Sequence, residues 1–116
     1  MNDLSEEART LRDGWWALEY VRGTPVYLIA ENSRHSEGWI RRRIRYFVSY
    51  SWGLTHYDRF RQVFGEMNDG RALTASTIWR NSLAILGDIE AYYAELFNAY
   101  EQGHGIGEGR KVHEDN

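Results

Sequence analysis

The sequence predicts an α+β domain, and three stretches carry that prediction. Residues Ile40–Trp52 alternate apolar and polar side chains as a half-buried strand does. Two short runs rich in aromatic and β-branched residues, Trp15–Val21 and Val26–Glu31, flank Arg22-Gly23-Thr24-Pro25 and read as a hairpin. Ile78–Tyr100 places ten large apolar side chains, all but Leu83, in one arc about 140° wide on a helical wheel, as a helix covering a core does. The expected order is a short N-terminal helix, a three-stranded antiparallel meander, then a medium and a long C-terminal helix packed on one sheet face. An all-α bundle is the alternative, and it requires Ile40–Trp52 to be helical.

Taken in order, Asp3 can cap a first helix with Glu6 at the capping-box position, and Leu4, Ala8 and Leu11 follow at helical spacing. Asp13-Gly14 reads as its stop, although Trp15 and Leu18 could extend the pattern to Arg22. In the hairpin region the helical reading would use Gly23 as a stop and Pro25 at a first helical position. Glu31–Gly38 reads as a polar loop.

In Ile40–Trp52 the even positions hold Ile40, Arg42, Ile44, Tyr46, Val48, Tyr50 and Trp52, and only Arg42 and Phe47 violate strict alternation. Thr55 can cap the medium helix, whose apolar positions are Tyr57, Phe60, Val63, Phe64 and Met67, and Asn68-Asp69-Gly70 can end it. Thr74 or Ser76 can cap the long helix. Residues 1–102 are expected to form one domain, and the Gly-rich stretch 103–116 a flexible tail.

The 116 residues are enough to bury a core without staples, and the chain has no Cys for disulfide or thiolate chemistry. The charged N-terminus lacks the apolar run of a secretory signal, and no apolar window is long enough to span a bilayer, so a cytoplasmic location is expected. Net charge is −3 but unevenly spread: residues 34–61 carry seven Arg and two acids, whereas residues 62–116 carry four basic residues and nine acids.

No catalytic constellation stands out. His35, His56, His104 and His113 have no metal-ligand spacing, and the serines lie in no nucleophile-elbow context. His56 and Asp58 fit a helix start better than a base and its orienting carboxylate. The Gly-rich stretch follows a helix instead of opening one, so it is not a nucleotide loop. No metal or other cofactor is expected.

The expected function is therefore a non-enzymatic interaction module that binds a protein partner, of the kind found among inhibitor, immunity and mobile-element accessory proteins. On a strand, Arg41, Arg43 and Arg45 would share one face with Phe47 and present it to an acidic partner surface. The same face would suit single-stranded nucleic acid, the second reading. A small enzyme with a pocket between sheet and long helix is the third. A homodimer is expected through Tyr92, Tyr93, Leu96 and Tyr100 on the long helix.

Overall fold

The structure, a computed structural model, describes residues 4–66 and 73–104. Its described residues are helical and contain no strand, so the three-stranded meander is replaced by a helical bundle. The elements are α1 (Glu6–Val21), α2 (Val26–Ser33), α3 (Glu37–Tyr46), a π-helical segment (Phe47–Trp52), a single turn α4 (Gly53–Thr55), α5 (Tyr57–Phe64), α6 (Ala75–Arg80) and α7 (Ser82–His104).

Helix α1 starts at Ser5, whose Oγ accepts the Ala8 amide at 3.1 Å. It runs through Asp13-Gly14 because no backbone break is needed there: Gly14 lies where two rings press on the helix. A Cβ at this position would come within 2.9 Å of the Phe47 ring and 3.2 Å of the Tyr93 ring. The expected turn glycine is instead a close-packing glycine. The helix stops at Gly23, which takes φ 109°, while the Gly23 and Thr24 amides donate to the Tyr20 and Glu19 carbonyls. That is a Schellman stop, and Pro25 then opens α2 as its N-cap. The hairpin runs are thus the second half of α1 and most of α2. Burial of Val26, Ile29 and Ala30 at helical spacing overrides their strand propensity.

The segment 37–55 is a continuous helix with a π insertion, and it explains why strand alternation misled. Every buried side chain in the ladder Ile40, Ile44, Val48 and Trp52 sits at an even position because four is an even step. The remaining even positions, Arg42, Tyr46 and Tyr50, form a second ladder of the same step that faces solvent. Two helical ladders offset by two residues imitate alternation.

The sequence stripe Ile78–Tyr100 is also two helices. Asn81, at φ −110° and ψ 15°, breaks it, and the break is satisfied locally by Asn81 Nδ2 donating to the Thr77 carbonyl and Ser82 Oγ donating to that of Trp79. Thr74 does act as a cap, with its Oγ1 accepting the Thr77 amide, but of α6. Thr55 does not cap α5; its hydroxyl donates back to the Ser51 carbonyl at 2.7 Å.

Helix α7 packs antiparallel to α1, as the Arg22–Glu90 ion pair at one end and the contact of Gly14 with Tyr93 midway along show. Side chains of α2, α3, the π segment, α5 and α6 complete the core around Ile78, Ile85 and Ile89. Tyr20 ties α1 to α6 by donating to the Ala75 carbonyl, and Arg59 ties α5 to α7 through Asp88 and the Ala84 carbonyl. The expected medium-helix stop at 68–70 and most of the expected tail lie outside the described residues. Among the described residues no helix is long and apolar enough to cross a membrane.

Candidate functional site

The residues expected on one strand face are distributed around a helix. Successive residues of α3 turn by about 100°, so Arg41 and Arg45 lie near each other and Arg43 points the opposite way. Arg41 pairs with Glu37 one turn earlier at 3.2 Å. Arg43 turns inward and grips Asp13 with two hydrogen bonds, of 2.7 and 3.0 Å. Phe47 is 1% exposed and belongs to the core. The shared Arg/Phe face is therefore corrected: it needed the pleat of a strand, and there is no strand here.

Asp13, a turn residue by sequence, is instead a buried carboxylate shared by two guanidinium groups. Arg12 binds its other oxygen at 3.0 Å. The Arg12 guanidinium sits 5.0 Å from the centre of the Trp16 ring and 4.9 Å from that of Trp39, and Arg43 lies 4.8 Å from that of Tyr46. His35 stacks on Trp39 at 4.4 Å. Each charge is compensated by ion pairing and by ring faces, so the cluster cements α1 to α3. The spacing Arg12-x3-Trp16 was the legible signal for half of it.

What the segment 37–55 offers to solvent is a ridge. Arg42, Tyr46, Tyr50 and Leu54 recur every four residues. Tyr46 is 50% exposed, Tyr50 55% and Leu54 59%, and the two Tyr rings lie 5.1 Å apart. In an α-helix a step of four overshoots a turn by about 40°, so such a row would spiral away. In a π-helix the hydrogen bonds span five residues and the same step falls short of a turn. The two drifts oppose each other where α3 meets the π segment, so the row stays on one side of the molecule. The inner ladder of Ile40, Ile44, Val48 and Trp52 is kept aligned by the same means.

Beneath the ridge lies a polar cleft of about 150 Å³, with Glu6, Arg9, Asp13, Arg43, Tyr46 and Ser51 among its walls. Ser51 is 2.9 Å from the Tyr92 hydroxyl, which is also 3.3 Å from that of Thr55. His56 stacks on Trp52 and meets the Tyr92 ring edge-on; its Nδ1 is enclosed without a hydrogen-bond partner. This group of hydroxyls and one imidazole holds the π segment to α7. No group of three His, Cys, Asp or Glu among the described residues could hold a metal ion. The pocket expected between sheet and long helix has no sheet to form it.

The four residues expected at a dimer contact divide between inside and outside. Tyr92 is buried, packed on Phe47 and bonded as above. Tyr93 is half-buried between Trp15 and Phe97, and burial raises its pKa above the usual tyrosine value. Leu96 and Tyr100 line a groove of about 430 Å³ between the start of α1 and the end of α7. Leu11 and Ala99 complete its apolar floor, and Glu6 and Glu7 stand at its edge.

Neither a family model, nor a curated protein, nor a solved structure matches this chain.

Proposed function

We propose that this chain is a non-enzymatic helical interaction module that binds a protein partner through the ridge Arg42, Tyr46, Tyr50 and Leu54. The observation that carries the reading is the alignment of three large apolar side chains, each about half exposed, on one rigid helix beside arginines. Tyr and Arg are residue types on which binding energy concentrates. A helix anchored by Ile40, Ile44, Val48 and Trp52 loses little freedom when it docks, so little of the contact energy is spent on ordering. The exposed arginine at 42 sets the sign of the partner: an apolar surface edged with carboxylates. A nucleic-acid strand would instead want cations strung along one face. Arg41, Arg43 and Arg45 do not share one, and Arg43 is committed to Asp13, which supports a protein partner over nucleic acid.

Affinity capture with the wild-type chain, Tyr50→Glu and the off-ridge control Tyr27→Glu tests this reading. Tyr27 is exposed on α2 and away from the ridge. The expected result is at least one protein retained by wild type and Tyr27→Glu and lost by Tyr50→Glu. Identical captures from all three, or salt-sensitive capture of nucleic acid alone, would contradict it.

A further inference from the structure

We infer that the partner of the ridge is the ridge of a second copy of this chain, laid on it antiparallel about a two-fold axis through Tyr50. This inference rests on the ridge reading above and adds the identity of the partner.

Two observations carry it. The first is that the row is longer than its apolar part. The inner ladder runs on past Trp52: the His56 ring stacks on Trp52 at 6.5 Å and the Phe60 ring meets Trp52 at 6.1 Å, so the backbone break at His56 does not turn the ladder aside. The outer row keeps its offset of two residues and runs on in the same way, from Leu54 to Asp58, which is exposed. The full row is thus Arg42, Tyr46, Tyr50, Leu54 and Asp58: a cation, three large apolar side chains and an anion.

The second is charge. Arg42 stands eight residues before Tyr50 and Asp58 eight after it. A two-fold axis through Tyr50 therefore sets Arg42 of each copy opposite Asp58 of the other, Tyr46 opposite Leu54, and Tyr50 against Tyr50. Both ends attract at once, and the contact closes as a dimer with each charge pair made twice. A parallel pairing would set Arg42 against Arg42 and Asp58 against Asp58. Both charges are available: among the described residues neither Arg42 nor Asp58 has an ion-pair partner, whereas Arg41, Arg43, Arg59 and Arg61 are paired with Glu37, Asp13, Asp88 and Glu66. Glu6 borders Tyr46 across the polar cleft, but Arg9 lines the same cleft, so that flank is not of one sign. The homodimer expected from the sequence is kept, and its face moves from α7 to the ridge.

The test is the oligomeric state of the full chain by light scattering, from about 10 µM to about 1 mM. Five samples are compared: wild type, Arg42→Glu, Asp58→Arg, an equimolar mixture of these two variants, and the double variant carrying both changes. Wild type is expected to dimerise weakly, because one row per copy makes a small interface. Each single variant should dimerise about ten-fold more weakly, since its reversal turns two attractive pairs into two repulsive ones. The mixture should recover, because one copy then offers carboxylates at both ends of its row and the other guanidinium groups at both. The double variant restores both pairs with their signs exchanged and should recover as well. Thermal melts check folding, since Asp58 lies in the first turn of α5, where a cation is disfavoured. If Asp58→Arg melts early, Tyr50→Glu replaces it; this sets two carboxylates together on the axis and should also weaken the dimer about ten-fold or more.

A wild-type chain that stays monomeric throughout the range overturns the inference. If that monomer still loses a captured protein on Tyr50→Glu, the self-pairing fails and the ridge reading stands. A wild-type dimer that neither Arg42→Glu nor Tyr50→Glu weakens is built on another face, and the inference fails. So it does if the folded mixture and the folded double variant are no stronger than the single variants.

Discussion

The two halves of α7 carry the same apolar stripe and meet different fates. Ile85 and Ile89 are fully buried, held among α1, α5, α6 and the π segment. Leu96 and Tyr100 fall at nearly the same angles on the wheel, yet both remain partly exposed and floor a groove. The difference is not in the residues but in what reaches them. Toward its C-terminus α7 has, among the described residues, passed beyond the other helices and lies beside α1. A stripe records which face of a helix is to be covered; it does not record whether its own chain supplies the cover.

Substitutions at matched positions sharpen this contrast most strongly. Ile89→Ala is expected to cost about 3 kcal/mol, since it empties a site with no access to solvent. Leu96→Ala should cost only about 1 kcal/mol in the monomer, where its side chain already meets water. Equal shifts in the urea midpoint would break the distinction between the halves.

The boundary between them lies near Gly14 and Tyr92. Gly14→Ala gains about 1 kcal/mol of helix propensity, but its methyl group would press on the Phe47 ring, which is itself core and has no room to move. The overpacking cost of about 1–3 kcal/mol wins, so a net loss of about 1 kcal/mol is expected. A raised melting temperature would show that α1 is less tightly apposed to the Phe47 and Tyr93 rings. Tyr92→Phe removes a hydroxyl shared with Ser51 and Thr55 and should lose about 1 kcal/mol, read from denaturant unfolding. The smallest effect belongs to the groove: Ala99→Leu should change monomer stability by less than about 0.5 kcal/mol, because its added carbons meet open space.

Much of the core was legible without the fold. One side of the wheel arc holds Ile78, Ile85, Ile89 and Tyr92, all buried, and its opposite edge holds Trp79 and Phe97, both exposed. The secondary structure of residues 15–52 was not legible. A helical row with a four-residue step keeps one parity, and parity is the strand signal; with Tyr46 and Tyr50 exposed between Ile44, Val48 and Trp52, one helix displays the alternation of a sheet. The π segment that straightens these rows has no composition of its own to betray it. The site was legible as a stretch and not as a surface: the segment around Ile40–Trp52 does carry the ridge, but the residues at its crest are Tyr46 and Tyr50, while Arg43 and Phe47 are turned inward. Asp13 went unread because its two partners come from one adjacent residue and one thirty positions away.

The central claim, that the described residues cover the C-terminal half of α7 less than its N-terminal half, is tested most directly by hydrogen exchange along α7. Amides around Ile85 and Ile89 should exchange slowly, because their opening requires the core to open. Those from Leu96 to Gly103 should exchange markedly faster. Equal protection of both halves would contradict it.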